Sequence, residues 1–155
     1  MTKSFVSFAL TADHVAVVFP LVQTALPGMT LEAWRRFARC LVDGSAGPLA
    51  RGALGLRNAA GYVCGLLIFR VDHDLRHGKV LAVDLFIALD LLNEEEAGSA
   101  LLQAVEAKAR ELQCTATHIR LDAGQKSLPR RLLRSGHCKE AELFCKMIEA
   151  APLPS

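Results

Sequence analysis

The sequence has no CxxC pair. Its five cysteines (Cys40, Cys64, Cys114, Cys138 and Cys145) are an odd number and lie far apart. That spacing argues against a disulfide scaffold and against structural zinc, and leaves buried reduced thiols as the simplest account. An excess of one charge is missing too: a net charge of +2 is too small to mark nucleic acid as a partner. Two basic clusters stand out, Arg35, Arg36 and Arg39, then Lys126, Arg130, Arg131 and Arg134. Neither is interleaved with aromatics, so neither makes a single-strand stacking surface, and both read as solvated helix faces. The longest apolar run, residues 62–69, contains Gly65 and is strand-sized rather than membrane-spanning. The start, Met1 to Phe5, lacks the basic and apolar regions of a secretory signal. A cytoplasmic protein with no nucleic-acid or membrane partner is therefore expected. What is present is apolar material: 52% of the 155 residues are hydrophobic. That is enough for one domain with a real core over 1–150, followed by a short tail at 151–155.

Periodicity divides the chain. Residues 4–10 suit a first strand. Thr11 or Asp13 caps a helix over 15–26 that Pro20 would constrain or kink, and Pro27-Gly28 ends it. Thr30 caps a second helix whose Leu31, Trp34, Phe37, Ala38, Leu41 and Val42 recur at helical spacing, so Trp34 reads as core. Strands follow at 50–57, 62–71 and 79–89. The short turns between them, 58–61 and 72–78, predict an antiparallel meander. A helix over 98–112 buries Leu101, Leu102, Val105, Ala109 and Leu112, and Glu106 and Arg110 make an exposed i,i+4 pair. The strand at 116–122 follows a crossover helix and so runs parallel to 80–88. A short helix over 127–135 tolerates Pro129 in its first turn and closes at Gly136. A last strand is expected over 140–148.

The most informative stretch is 80–113. A strand ending in Asp84-Leu85-Phe86-Ile87-Ala88 feeds, through a loop over 89–97, a helix that starts Gly98-Ser99-Ala100. Free N–H groups and the helix dipole make such a start a ready anion site. Glu94, Glu95 and Glu96 stand in front of it. Acids there stabilise a helix start by ~0.3–1 kcal/mol each. One of them about 7 Å from a phosphate charge would cost on the order of 0.5–2.5 kcal/mol.

This order of elements, with Asp84-Leu85-Phe86-Ile87 followed by Gly98-Ser99-Ala100-Leu101-Leu102, resembles the GNAT family, the acyl-CoA-dependent N-acetyltransferases. The resemblance spans residues 4 to 149. It implies a mixed α/β fold with a central sheet of about six to seven strands flanked by helices. The family's Gln/Arg-x-x-Gly-x-Gly/Ala loop is degenerate here. In one register Asn93 takes the Gln/Arg position and Glu96 the first glycine; in the other, Glu95, Gly98 and Ala100 take the three positions. The resemblance implies that Phe86, Ile87 and Ala88 pair with the pantetheine arm of acetyl-CoA. It also implies that N–H groups around Ala97, Gly98, Ser99 and Ala100 hold the pyrophosphate. The family's proton-donating tyrosine is replaced by Leu132, since the one tyrosine, Tyr62, lies on the central strand. The family's frequent Asn in that segment is matched only by Gln125.

Asp84, alone in an apolar strand where burial raises a carboxyl pKa, is the candidate base. A buried and satisfied, or outward-facing, carboxylate is the plain alternative. Asp72, His73, Asp74 and His77 lie in a turn, and read as turn residues rather than as a metal cluster. His118, Arg120 and Asp122 share one strand face that lines a pocket or faces a helix. Cys138 and Cys145 lack a histidine placed by geometry to activate them. The expected function is transfer of an acetyl or acyl group from acyl-CoA to a small-molecule or peptide amine, weakly or from an unusual acyl carrier. The rival is a catalytically degenerate module of the same fold used for binding, and a homodimer is compatible with either.

Overall fold

The computed structural model describes residues 5–43, 50–89, 94–122 and 127–149. These fall into two compact units, Met1–Asp122 and Ala123–Ser155.

The first unit is built on a sheet. Its strands are β1 (Val6–Ala9), β2 (Arg51–Arg57), β3 (Val63–Asp74), β4 (Gly78–Ala88) and β5 (Ala116–Ile119). They lie in the order β1-β2-β3-β4-β5. The first four form an antiparallel meander, and β5 joins β4 in parallel, with Val80 opposite Ala116 and Val83 opposite Ile119. This is the expected topology, with five strands among the described residues where six to seven were expected.

The two faces of the sheet hold different helices. A 3₁₀ turn (Ala12–His14) leads to α1 (Phe19–Ala25), then α2 (Leu31–Asp43). The single helix expected over 15–26 is thus shorter, and Pro20 sits in its first turn, where a missing N–H costs nothing, rather than at a kink. The Thr30 hydroxyl accepts the Ala33 N–H at 3.1 Å and caps α2. Trp34 is 1% exposed and donates its indole N–H to the Val15 carbonyl. With Val18, Val22, Ala38 and Leu41 it packs on Leu66, Ile68 and Ile87. Phe37, expected in the same stripe, is 46% exposed, because it sits one position to the side of the Trp34–Ala38–Leu41 line that the sheet covers.

The other face carries α3 (Glu94–Glu111). Lys108 Nζ lies 5.9 Å from the centre of the Phe69 ring, which alternates with Ile68 and so points away from α1 and α2. Leu101, Leu102, Val105 and Ala109 are buried, as their spacing predicts. The boundary expectation fails, however. The helix begins at Glu94, four residues before Gly98, because acids are favourable in a first turn and Ala97 and Gly98 are buried as parts of the helix.

In the second unit, α4 (Leu128–Arg134) has Pro129 in its first turn. Gly136 follows at φ +94°, the left-handed stop that glycine permits. The Gly136 and His137 N–H groups donate to the Leu133 and Leu132 carbonyls. The strand expected over 140–148 does not form. Apolar alternation specifies which side chains share a face, but a strand exists only where a neighbour takes its backbone bonds. Phe144 and Met147 are 87% and 86% exposed. The expectation of buried thiols also holds only for Cys64: Cys40, Cys138 and Cys145 are exposed, Cys114 is half-buried, and none is in a disulfide.

Candidate functional site

The feature that sets β4 apart is where its second neighbour stops. On one side β3 follows it from Gly78 to Ala88. On the other, among the described residues β5 is in register from Val80 to Val83, and the Arg120 N–H donates to the Val83 carbonyl at 3.0 Å. Five residues of β4, Asp84 to Ala88, lie beyond that point. They include Phe86, Ile87 and Ala88, and they end six residues before α3 begins. The register with β3 slips at the same place: Ile68 faces Leu85 while Phe69 faces Val83, which leaves Asp84 as the extra residue of a β-bulge. A bulge increases local twist and bends its strand. β4 therefore changes course where its pairing to β5 ends.

Asp84 does not stand alone, as the sequence suggested. Its carboxylate accepts from Arg70 Nε at 3.1 Å, and Arg70 Nη1 donates to Asp72 at 2.6 Å. About a third of the Asp84 side chain is exposed. Arg70 is opposite Ala82 in the register, two residues from Asp84, so the partner follows from the pairing of β3 with β4 and not from either strand alone. The guanidinium's pKa is raised by the Asp72 hydrogen bond and the Asp84 charge. The hydrogen bond from Arg70, helped by the His73 N–H, holds the Asp72 carboxyl below the usual carboxylate range.

At the helix start, Glu94, Glu95 and Glu96 are exposed while Ala97 and Gly98 are buried. A helix begun at Glu94 has its free N–H groups in that first turn; those of Gly98, Ser99 and Ala100 reach back to carbonyls one turn earlier. The end with free N–H groups, where an anion is expected, is thus displaced toward the glutamates. Asn93 and Gln125 lie outside the described residues. Leu132 is on α4, in the second unit, and Tyr62 stands just before β3 with 73% exposure.

One grouping was not visible in the sequence. Ligand atoms of Asp74, His77 and His118 all lie within 4.8 Å of one another. The turn reading accounts for Asp74, whose carboxylate accepts the Arg76 and His77 N–H groups at 3.0 and 2.9 Å. His118 comes from β5, and only a known register could have brought it there. A depression of about 590 Å³ along α2, lined by Arg35, Arg36 and Arg39 among others, lies apart from these groups.

Among the described residues, no helix is long and apolar enough to cross a membrane. No protein-family model matches the sequence, and no curated protein matches it by sequence comparison. Solved structures do match. The chain is similar to the aminoglycoside N-acetyltransferase AAC(6')-Iy bound to a CoA bisubstrate analogue, at TM-score 0.77 and 13% identity, covering 96% of this chain and 100% of that one. It is similar to a ribosomal-protein-alanine N-acetyltransferase from Brucella melitensis biovar Abortus 2308, at TM-score 0.74 and 14% identity, covering 94% and 100%. It is similar as well to the aminoglycoside 6'-N-acetyltransferase AAC(6')-Ih from Acinetobacter baumannii, at TM-score 0.74 and 12% identity, covering 94% and 99%. Identities this low speak for architecture alone, and what they establish is that this chain has the fold of the GNAT acetyltransferases.

Proposed function

We propose that this protein transfers an acyl group from acyl-CoA to a primary amine. The observation that carries the reading is the length of β4 from Asp84 to Ala88 that outruns β5. A strand of this kind offers main-chain groups to an extended ligand with amides of its own, and the pantetheine arm of acetyl-CoA is such a ligand. In this reading Phe86, Ile87 and Ala88 hold the arm. The pyrophosphate sits at the start of α3, against the first-turn N–H groups that precede Ala97, Gly98, Ser99 and Ala100. One neighbour of like fold, the aminoglycoside N-acetyltransferase AAC(6')-Iy, is seen in complexes with CoA and with a CoA bisubstrate analogue, and another is named as acetylating a ribosomal-protein alanine. A small-molecule or peptide amine is the corresponding acceptor class here.

In the step itself, the neutral amine nitrogen attacks the thioester carbonyl carbon. The oxyanion that forms is bonded by a main-chain N–H near Ile87, the C–S bond breaks, and CoA leaves as its thiolate. A thiolate with a pKa near ~8.5 departs without an obligatory acid, so Leu132 in place of tyrosine is tolerable. The proton lost from nitrogen goes to Asp84, with Arg70 fixing the orientation of its carboxylate.

Calorimetric titration with acetyl-CoA and with CoA, followed by amine-dependent CoA release over a broad amine panel, tests the reading. Binding and turnover are expected, with turnover falling at least ~10-fold in Asp84→Asn, the low end of what a general base contributes. Turnover that ignores Asp84→Asn would assign the proton to water. The exposed Glu94 to Glu96 favour a second reading, a fold kept for binding without catalysis, and the absence of both CoA binding and turnover would select it.

A further inference from the structure

The sheet face that carries Arg70 also carries a group of side chains with no part in acyl transfer. Arg70, Ala82 and His118 are directly opposite one another across β3, β4 and β5, so their side chains leave the same face. Asp74 is on that face too, four residues along β3 from Arg70. His77 stands in the turn between Asp74 and Gly78. The imidazoles of His77 and His118 meet edge-on, with ring centres 5.6 Å apart. His118 Nε2 is inaccessible to solvent and has no hydrogen-bond partner among the described residues. A buried imidazole nitrogen without a partner is unfavourable and calls for an occupant.

The backbone around the group is already fastened. The Thr115 hydroxyl donates to the His77 and Lys79 carbonyls, and the Thr115 N–H donates to the Lys79 carbonyl at 2.8 Å. The Arg76 and His77 N–H groups fix the Asp74 carboxylate. Three donors no more than 4.8 Å apart share a centre within about 2.8 Å of each, against ~2.0–2.2 Å in a formed zinc site. Side-chain shifts below about 1 Å close that gap.

We propose that Asp74, His77 and His118 bind one Zn²⁺ ion, with water completing a four-coordinate shell, and that the ion fastens β5 to the β3–β4 turn. Two imidazoles and a carboxylate suit a borderline ion such as Zn²⁺, not Mg²⁺ or Ca²⁺, which take oxygen ligands. The ion's role is structural. Ala82, opposite His118, is five residues from Ile87, ~16 Å at ~3.3 Å per residue, which is too far to polarise a carbonyl held there. Among the described residues β5 has four residues in register with β4 and is the last strand of the sheet, so an added tie at its start matters most there.

The test uses the full chain after chelator treatment, titrated calorimetrically with Zn²⁺ and separately with Mg²⁺. One Zn²⁺ per chain is expected, with no Mg²⁺ response. At a Zn²⁺ concentration 100 times its dissociation constant the unfolding constant should fall ~100-fold. Amide exchange over Thr115 to Ile119 should slow on binding. His118→Ala and, independently, His77→Ala should each weaken Zn²⁺ binding at least ~10-fold, while His73→Ala should leave it intact. Since His77 lies in a turn, its variant keeps the test valid if His118→Ala fails to fold. Binding unchanged in His77→Ala, binding by way of cysteines, or no binding by the wild type would overturn the site. Binding without slower exchange in β5 would overturn its structural role.

Discussion

The two halves of β4 differ more than their sequences do. From Val80 to Val83 the strand is paired on both sides, and Val80, Leu81 and Val83 are at most 1% exposed. From Asp84 to Ala88 it keeps β3 but has outrun β5, and Asp84, Leu85 and Ala88 emerge as half-buried residues. Both halves read as apolar strand. What separates them is the length of the neighbour: β5 stops at Ile119. A site of the proposed kind thus arises from a short partner as much as from any residue of the strand that bears it. The bulge at Asp84 adds the bend that lets the two strands diverge.

If that division is real, truncations in the two halves should differ in kind. Leu81→Ala removes a fully buried side chain from the doubly paired half. It should lower stability by ~2–5 kcal/mol, the range for large-to-small changes in a core, with any loss of CoA affinity following from unfolding alone. Leu85→Ala, half-buried in the other half, should cost less stability and change CoA affinity in protein that remains folded. Urea unfolding of each variant beside calorimetric CoA titration measures both. Equal stability losses with no separate effect on affinity would erase the distinction between the halves.

How much of this could be read beforehand follows from which interactions are local. The meander, the parallel return of β5, the Thr30 cap, the core role of Trp34 and the Gly136 stop all rest on short-range periodicity or turn chemistry, and the sequence carries those directly. The start of α3 was missed because Gly98 resembled a boundary, while the acids before it were compatible with helix and with loop alike. The alternation over 140–148 predicts a strand that does not form, because alternation does not reveal whether a partner exists. Arg70 beside Asp84 and His118 beside His77 depend on register between strands, and a bulge at Asp84 defeats counting on one side. Of the candidate site, then, the sequence located the strand and the helix but not the ion pair or the helix start.

The second test concerns the helix start that follows the second half of β4. Glu96→Gly removes a charge and a side chain from the first turn of α3. It should cost the helix about 1 kcal/mol or slightly more, from glycine's poor propensity and the lost dipole interaction. Relief of a carboxylate about 7 Å from a phosphate is worth on the order of 0.5–2.5 kcal/mol, so acetyl-CoA affinity should rise by roughly 2- to 70-fold. The same substitution should have no effect on binding if the exposed glutamates point away from the pyrophosphate, and calorimetry at two salt concentrations would tell the cases apart. A gain that shrinks at high salt identifies the charge; a gain that does not identifies the bulk of the side chain.

The smallest effect expected is at Asp72, which accepts from Arg70 Nη1 while Asp84 accepts from Arg70 Nε. The hydrogen bond from Arg70 is the main reason its carboxyl titrates below the usual range, and the His73 N–H adds to it. A carboxyl whose pKa is lower folded than unfolded contributes stability that is fully present above its unfolded value, ~3.9, and is lost as pH falls through the folded value. Asp72 is about half exposed, so solvent screens much of the interaction and the contribution is small. The difference in urea midpoint between wild type and Asp72→Asn should therefore favour the wild type at pH 6 and shrink steadily below pH ~4. It should also shrink with added salt. A difference that grew on acidification would mean that Asp72 is destabilising as an anion, and that Arg70 is committed to Asp84 alone. In that event the second half of β4 would hold its carboxylate more tightly than proposed, and Arg70→Lys, which keeps the charge but loses the fork that spans both carboxylates, should leave the unfolding curve unchanged.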